Sequence, residues 1–97
     1  MGESTSRYVV SPDAAYAAVP GGGVVLHLGV NRYFSLNETA ARIWSMLETG
    51  NPTDAIIAAL EREFTIDTAS ATRAVADLVG QLRDAGLLVA IQHAEGL

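Results

Sequence analysis

The sequence predicts one small α+β domain over residues 1–97, with antiparallel strands first, three helices after them and a short closing strand. Three observations carry that expectation. The first third alternates short aliphatic runs with Pro, Gly and Asn punctuation, residues 38 to 85 place apolar positions three and four apart, and 97 residues leave room for a single core. With 49% hydrophobic and 18% charged residues, the chain buries enough surface to offset its ordering entropy.

Each element follows from local chemistry. Tyr8 to Val10 is strand-like and runs into the turn signal Ser11-Pro12-Asp13. Ala14 to Val19 forms a weak strand ended by Pro20 and the glycines at 21–23, which read as a hairpin loop. Val24 to Leu28 is a further strand, and Gly29-Val30-Asn31 turns the chain into Arg32 to Leu36. Together these runs predict a hairpin or small meander. Alternation sends Phe34 and Leu36 to one face and Tyr33 and Ser35 to the other.

Asn37 supplies an N-cap oxygen for a helix over about Glu38 to Thr49, with Ala40, Ile43, Trp44 and Leu47 on its apolar stripe and Gly50 at its end. Either Asn51, with Pro52 at the first helical position, or Thr53 caps a second helix. That helix covers roughly Thr53 to Phe64, with Ile56, Ile57, Leu60 and Phe64 aligned. Asp67 or Thr68 caps the third, where Ala71, Val75, Leu78, Leu82 and Ala85 repeat before Gly86. Leu87 to Ile91 is expected to close the fold as a strand, and Gln92 to Leu97 to fray. Strands, three helices and a strand in this order predict a winged-helix layout.

Composition argues against catalysis. There is no cysteine and all six basic residues are arginines, which removes thiol nucleophiles, disulfides and Schiff-base lysines. The histidines, His27 and His93, have no metal-ligand spacing and read as surface or half-buried side chains. Glu61 and Glu63 project to different sides of a helix, so a solvated face is expected there rather than an acid–base pair. The triple glycine is followed by neither a lysine nor a helix, so no phosphate loop is expected. No catalytic residue, metal or cofactor is expected.

A formal net charge of −5 lacks the footprint of a nucleic-acid binder, and on helix 3 Arg73 and Arg83 are offset by Asp77 and Asp84. No apolar run approaches a membrane span, and the start lacks a basic-then-apolar signal layout, so no membrane partner and a cytoplasmic location are expected.

Peptide binding is the remaining expectation. The strand at 32–36 could form a sheet edge open to an added strand, and outward Tyr33 offers an aromatic body with a polar tip. On helix 3, Thr72, Ala76, Val79 and Arg83 share one flank of the core stripe. From the residues alone, Val79 reads rather as a widening of that stripe. Gly80, inside the helix beside the flank, marks either a close approach or a tolerated cost. The expected cleft is walled by Tyr33, Ala76 and Val79; unchanged affinity in a folded Val79→Asp variant would move the peptide to the opposite flank, near Ala74, Asp77 and Gln81.

The run Arg32-Tyr33-Phe34-Ser35-Leu36-Asn37-Glu38-Thr39-Ala40-Ala41-Arg42-Ile43-Trp44 resembles the D-protein family of pyrroloquinoline quinone biosynthesis, which includes recognition elements of ribosomally made peptide pathways. Leu82-Arg83-Asp84-Ala85-Gly86-Leu87-Leu88 is similar to that family's usual ending, and the resemblance covers about Val24 to Val89. It implies a non-catalytic winged helix whose partner is a precursor leader peptide, docked as an extra strand between the family's strand 3, here Arg32 to Leu36, and helix 3. The implied contact residues are Arg32, Tyr33, Phe34 and Ser35 on the strand and Thr72, Ala76, Val79, Gly80 and Arg83 on the helix. A freestanding member of the lasso peptide type is implied, which presents the leader to a cysteine-protease-type leader peptidase and supports a macrolactam synthetase. The alternatives are a leader-binding partner of a radical S-adenosylmethionine enzyme and a winged-helix DNA-binding regulator.

Overall fold

In the computed structural model, which describes residues 7–90, two small antiparallel sheets flank a three-helix layer. The strands are β1 (Tyr8–Val10), β2 (Ala14–Val19), β3 (Gly22–His27) and β4 (Arg32–Asn37). Helices α1 (Glu38–Glu48), α2 (Thr53–Phe64) and α3 (Thr68–Asp84) follow, and β5 (Leu88–Ala90) closes the chain. The predicted meander is β2-β3-β4. The first strand does not join it: β1 pairs with β5, Tyr8 opposite Ala90 and Val10 opposite Leu88. His93 and the expected fraying after Ile91 lie outside the described residues.

The glycines at 21–23 are not all loop. Gly21, with φ +80°, makes the turn, while Gly22 and Gly23 are strand residues of β3. A Cβ on Gly22 would strike the Leu36 carbonyl of β4, and one on Gly23 would strike the ring of Tyr16. The missing side chain at Gly23 lets that ring lie across the sheet, where it stacks on Trp44 of α1 with centroids 6.1 Å apart.

Asn37 and Asp67 cap α1 and α3 as expected, accepting from the N–H of Ala40 at 2.8 Å and of Ser70 at 2.9 Å. Neither residue expected to cap α2 does so. Pro52 holds the N-cap position without a side-chain bond, Thr53 is already helical, and the Asn51 amide turns back to the Met46 carbonyl at 3.1 Å. Asn51 thus satisfies the end of α1 instead of the start of α2.

The core draws on every layer. Trp44, Ile43 and Leu47 of α1 meet Ile56 and Leu60 of α2, Ala71, Val75, Leu78, Val79 and Leu82 of α3, and Val25 and Leu36 of the meander. Only the inner sheet face is covered: Leu26 and Tyr33, paired across β3 and β4, remain 42% and 69% exposed on the other. Glu63 is not simply solvated, because both its oxygens accept from Arg42 at 2.8 and 2.9 Å and so tie α2 to α1. This pairing holds the Glu63 carboxyl below its ordinary range. His27 is buried, and its Nδ1 accepts from the Gly29 N–H at 3.1 Å within the β3–β4 turn.

Candidate functional site

β4 is an edge strand. Among the described residues it is bonded to β3 on one side and to no strand on the other, so alternate residues present N–H and C=O groups to the open side. Asn37 leads from β4 straight into α1, which fixes the strand beside the helical layer and leaves a cleft of about 270 Å³ between β4 and α3. Phe34 to Asn37 form one wall, and Ala74, Asp77, Leu78 and Gln81 the other. Thr39, Ala40 and Ile43 of α1 close one end. The largely buried Leu36, Ile43 and Leu78 supply apolar surface, while Ser35, Thr39, Asp77 and Gln81 supply polar atoms.

The walls agree in length. The three steps from residue 34 to 37 span roughly 10 Å at about 3.3 Å each, and α3 from residue 74 to 81 also rises roughly 10 Å at about 1.5 Å per step. The cleft therefore matches about three residues of extended chain. Its hydroxyls have no histidine or lysine beside them to act as base, and no group of three or more potential metal ligands occurs among the described residues.

The structure brings only part of the sequence-derived site to this cleft. Phe34 and Ser35 line it; Arg32 lies just beyond, its guanidinium 5.2 Å from the Phe34 ring centroid; Tyr33 points to the opposite face of the sheet. Thr72, Ala76 and Val79 lie on the far side of α3. There they line a separate depression of about 200 Å³ with Tyr8, Thr53 and Ile57, and Arg83 stacks over Tyr8 at 5.8 Å. Val79 is 6% exposed and belongs to the core cluster. Gly80 has open space where its Cβ would be, so no close approach accounts for it among the described residues. The helix wall facing β4 is instead the flank of Ala74, Asp77 and Gln81, whose spacing of three and four is visible in the sequence but equally regular on both sides of the stripe.

The family model for coenzyme PQQ synthesis protein D matches residues 22–88. The chain belongs to the PqqD family. Two solved structures share this PqqD-type α+β fold. One is TbiB1 in complex with the TbiA(beta) leader peptide, 32% identical with a TM-score of 0.75, covering 81% of this chain and 92% of that one. The other is lasso peptide synthetase B1 complexed with the leader peptide, 28% identical with a TM-score of 0.76, covering 86% and 98%. No functionally curated protein matches the sequence. The PqqD match begins at Gly22, so β3 with its two glycines, β4 and all three helices fall within it, while β1, β2 and the turn at Gly21 precede it.

Proposed function

We propose that this PqqD-family chain is a non-catalytic recognition module that binds the leader of a ribosomally made precursor as a strand added to β4. The observation that carries this reading is the open β4 edge facing a cleft walled by α3, in a fold shared with two proteins held in complex with leader peptides. Backbone groups of β4 provide sequence-tolerant affinity, and the cleft selects side chains at alternate positions. The module acts in the cytoplasm in lasso peptide biosynthesis and presents the bound leader to a leader peptidase and a macrolactam synthetase. The exposed Leu26 and Tyr33 on the uncovered sheet face support that presentation by offering apolar contact beside the bound strand.

The test is amide-resolved NMR of the labelled protein titrated with dodecapeptides selected against it from a phage-displayed random library. Shifts concentrated at residues 34–37 and at Ala74, Asp77, Leu78 and Gln81 are expected. Shifts confined to Tyr8, Thr53, Ile57 and Ala76 would overturn the placement. Incubated alone with a precursor peptide, the purified protein should leave it intact; cleavage would refute the non-catalytic reading.

A further inference from the structure

Asp77 is the single charged residue lining the β4–α3 cleft. Its carboxylate forms no hydrogen bond or ion pair among the described residues, and the chain has no lysine to supply one. None of the six arginines pairs with Asp77 among the described residues. Arg42 holds Glu63, Arg7 donates to the Gly50 carbonyl and Arg62 to the Ala58 carbonyl. Arg32 and Arg83 lie over Phe34 and Tyr8, and Arg73, one turn before Asp77, forms no hydrogen bond or ion pair with it. A peptide strand entering the cleft removes water from an anion that the protein itself does not neutralise.

We infer that the peptide segment this cleft accepts carries an arginine or lysine opposite Asp77, with an apolar side chain two positions away over Leu36, Ile43 and Leu78. The inference rests on strand addition at β4 and deepens it by naming the chemistry of the segment. An extended chain sends every second side chain toward α3, and the cleft matches about three residues, so two inward side chains are read. One meets the carboxylate and the other the apolar surface. The residue between them projects outward on the sheet face that carries Tyr33 and is free to vary.

The test selects phage-displayed random dodecapeptides separately against the wild-type protein and Asp77→Lys, whose exposed helical position suits lysine. Wild-type selection should enrich Arg or Lys two positions from an aliphatic or aromatic residue. The variant should enrich Asp or Glu at the same place and keep the apolar partner. For one selected basic peptide, replacing its cation by alanine should weaken wild-type binding about tenfold, an effect that shrinks at high salt and disappears in the variant. The same apolar pattern from both proteins without charge preference would overturn the inference and leave strand addition standing. Recovery of no peptide by either protein, with circular dichroism showing both folded, would sink strand addition and this inference with it.

Discussion

Ala74→Trp and Ala76→Trp place the same bulky side chain on opposite flanks of α3, about 200° apart around the helix axis. Ala74 is half-buried at the β4 cleft, whereas Ala76 is exposed at the depression shared with Tyr8 and Ile57. Helix propensity costs each substitution less than about 1 kcal/mol, a small part of the roughly 5 to 15 kcal/mol that holds a domain of this size together, so both variants should fold. An indole in the cleft excludes one of the two inward side chains of a docked strand. That forfeits the burial of an apolar group, about 1.5 to 3 kcal/mol, or about a tenfold to hundredfold rise in Kd. Isothermal titration with one selected dodecapeptide, with thermal melts confirming the fold, should show that loss for Ala74→Trp and near wild-type affinity for Ala76→Trp. The reverse pattern, or equal losses, would refute the assignment of the binding flank. Val79→Asp cannot serve this purpose, because Val79 packs in the core and its replacement by a carboxylate would unfold the protein.

Trp44→Ala should cost about 3 to 5 kcal/mol in chemical denaturation, and Trp44→Phe distinctly less, because the buried indole N–H has no hydrogen-bond partner among the described residues. Phe64 is only partly buried, so Phe64→Ala should cost less than Trp44→Ala. Gly80→Ala fills open space on a helix and should stabilise the fold by about 1 kcal/mol without changing peptide affinity, read from paired melts and titrations. Gly23→Ala should lower the melting temperature and abolish the Tyr16–Trp44 stacking seen in near-ultraviolet circular dichroism, since the added methyl collides with the Tyr16 ring. The Glu63 and Asp67 carboxyls are held below their ordinary ranges by hydrogen bonds, from Arg42 and from Ser70 respectively. Their folded pKa values lie below the unfolded ones, so their contribution is complete above the unfolded pKa and is lost as pH falls through the folded one. Melting temperature should therefore hold near neutrality and drop in acid, with a shallower drop in Glu63→Gln and Asp67→Asn.

Much of the fold was legible because its signals are local. The Asn37 and Asp67 caps, the φ-positive Gly50 and Gly86, and the stripes of all three helices each depend on a few neighbouring residues. The role of Gly22 and Gly23 was not legible, since it depends on the backbone of Leu36 and the ring of Tyr16, fourteen residues ahead and seven behind respectively. Nor was the partner of β1, because a three-residue strand carries no mark of whether it pairs with its neighbour or with the far end of the chain. The edge position and alternation of residues 32–36 point to the strand wall, of which Phe34 and Ser35 line the cleft while Arg32 and Tyr33 lie outside it. The helix half was missed for a geometric reason. Periodicity defines a core stripe and two flanks, but which flank turns toward β4 depends on how α1 and α2 carry the chain around.

The pairing of β1 with β5 sets Tyr8 directly opposite Ala90, so the described chain enters and leaves the domain at adjacent points. A body whose two ends meet in this way can be spliced into a surface loop of another protein without stretching either connection, and it tolerates being reopened elsewhere and joined across that point. The cost is kinetic. Bringing residues 8 and 90 together closes nearly the whole chain into a loop, so this two-stranded clasp should be among the last contacts to form and the first to open.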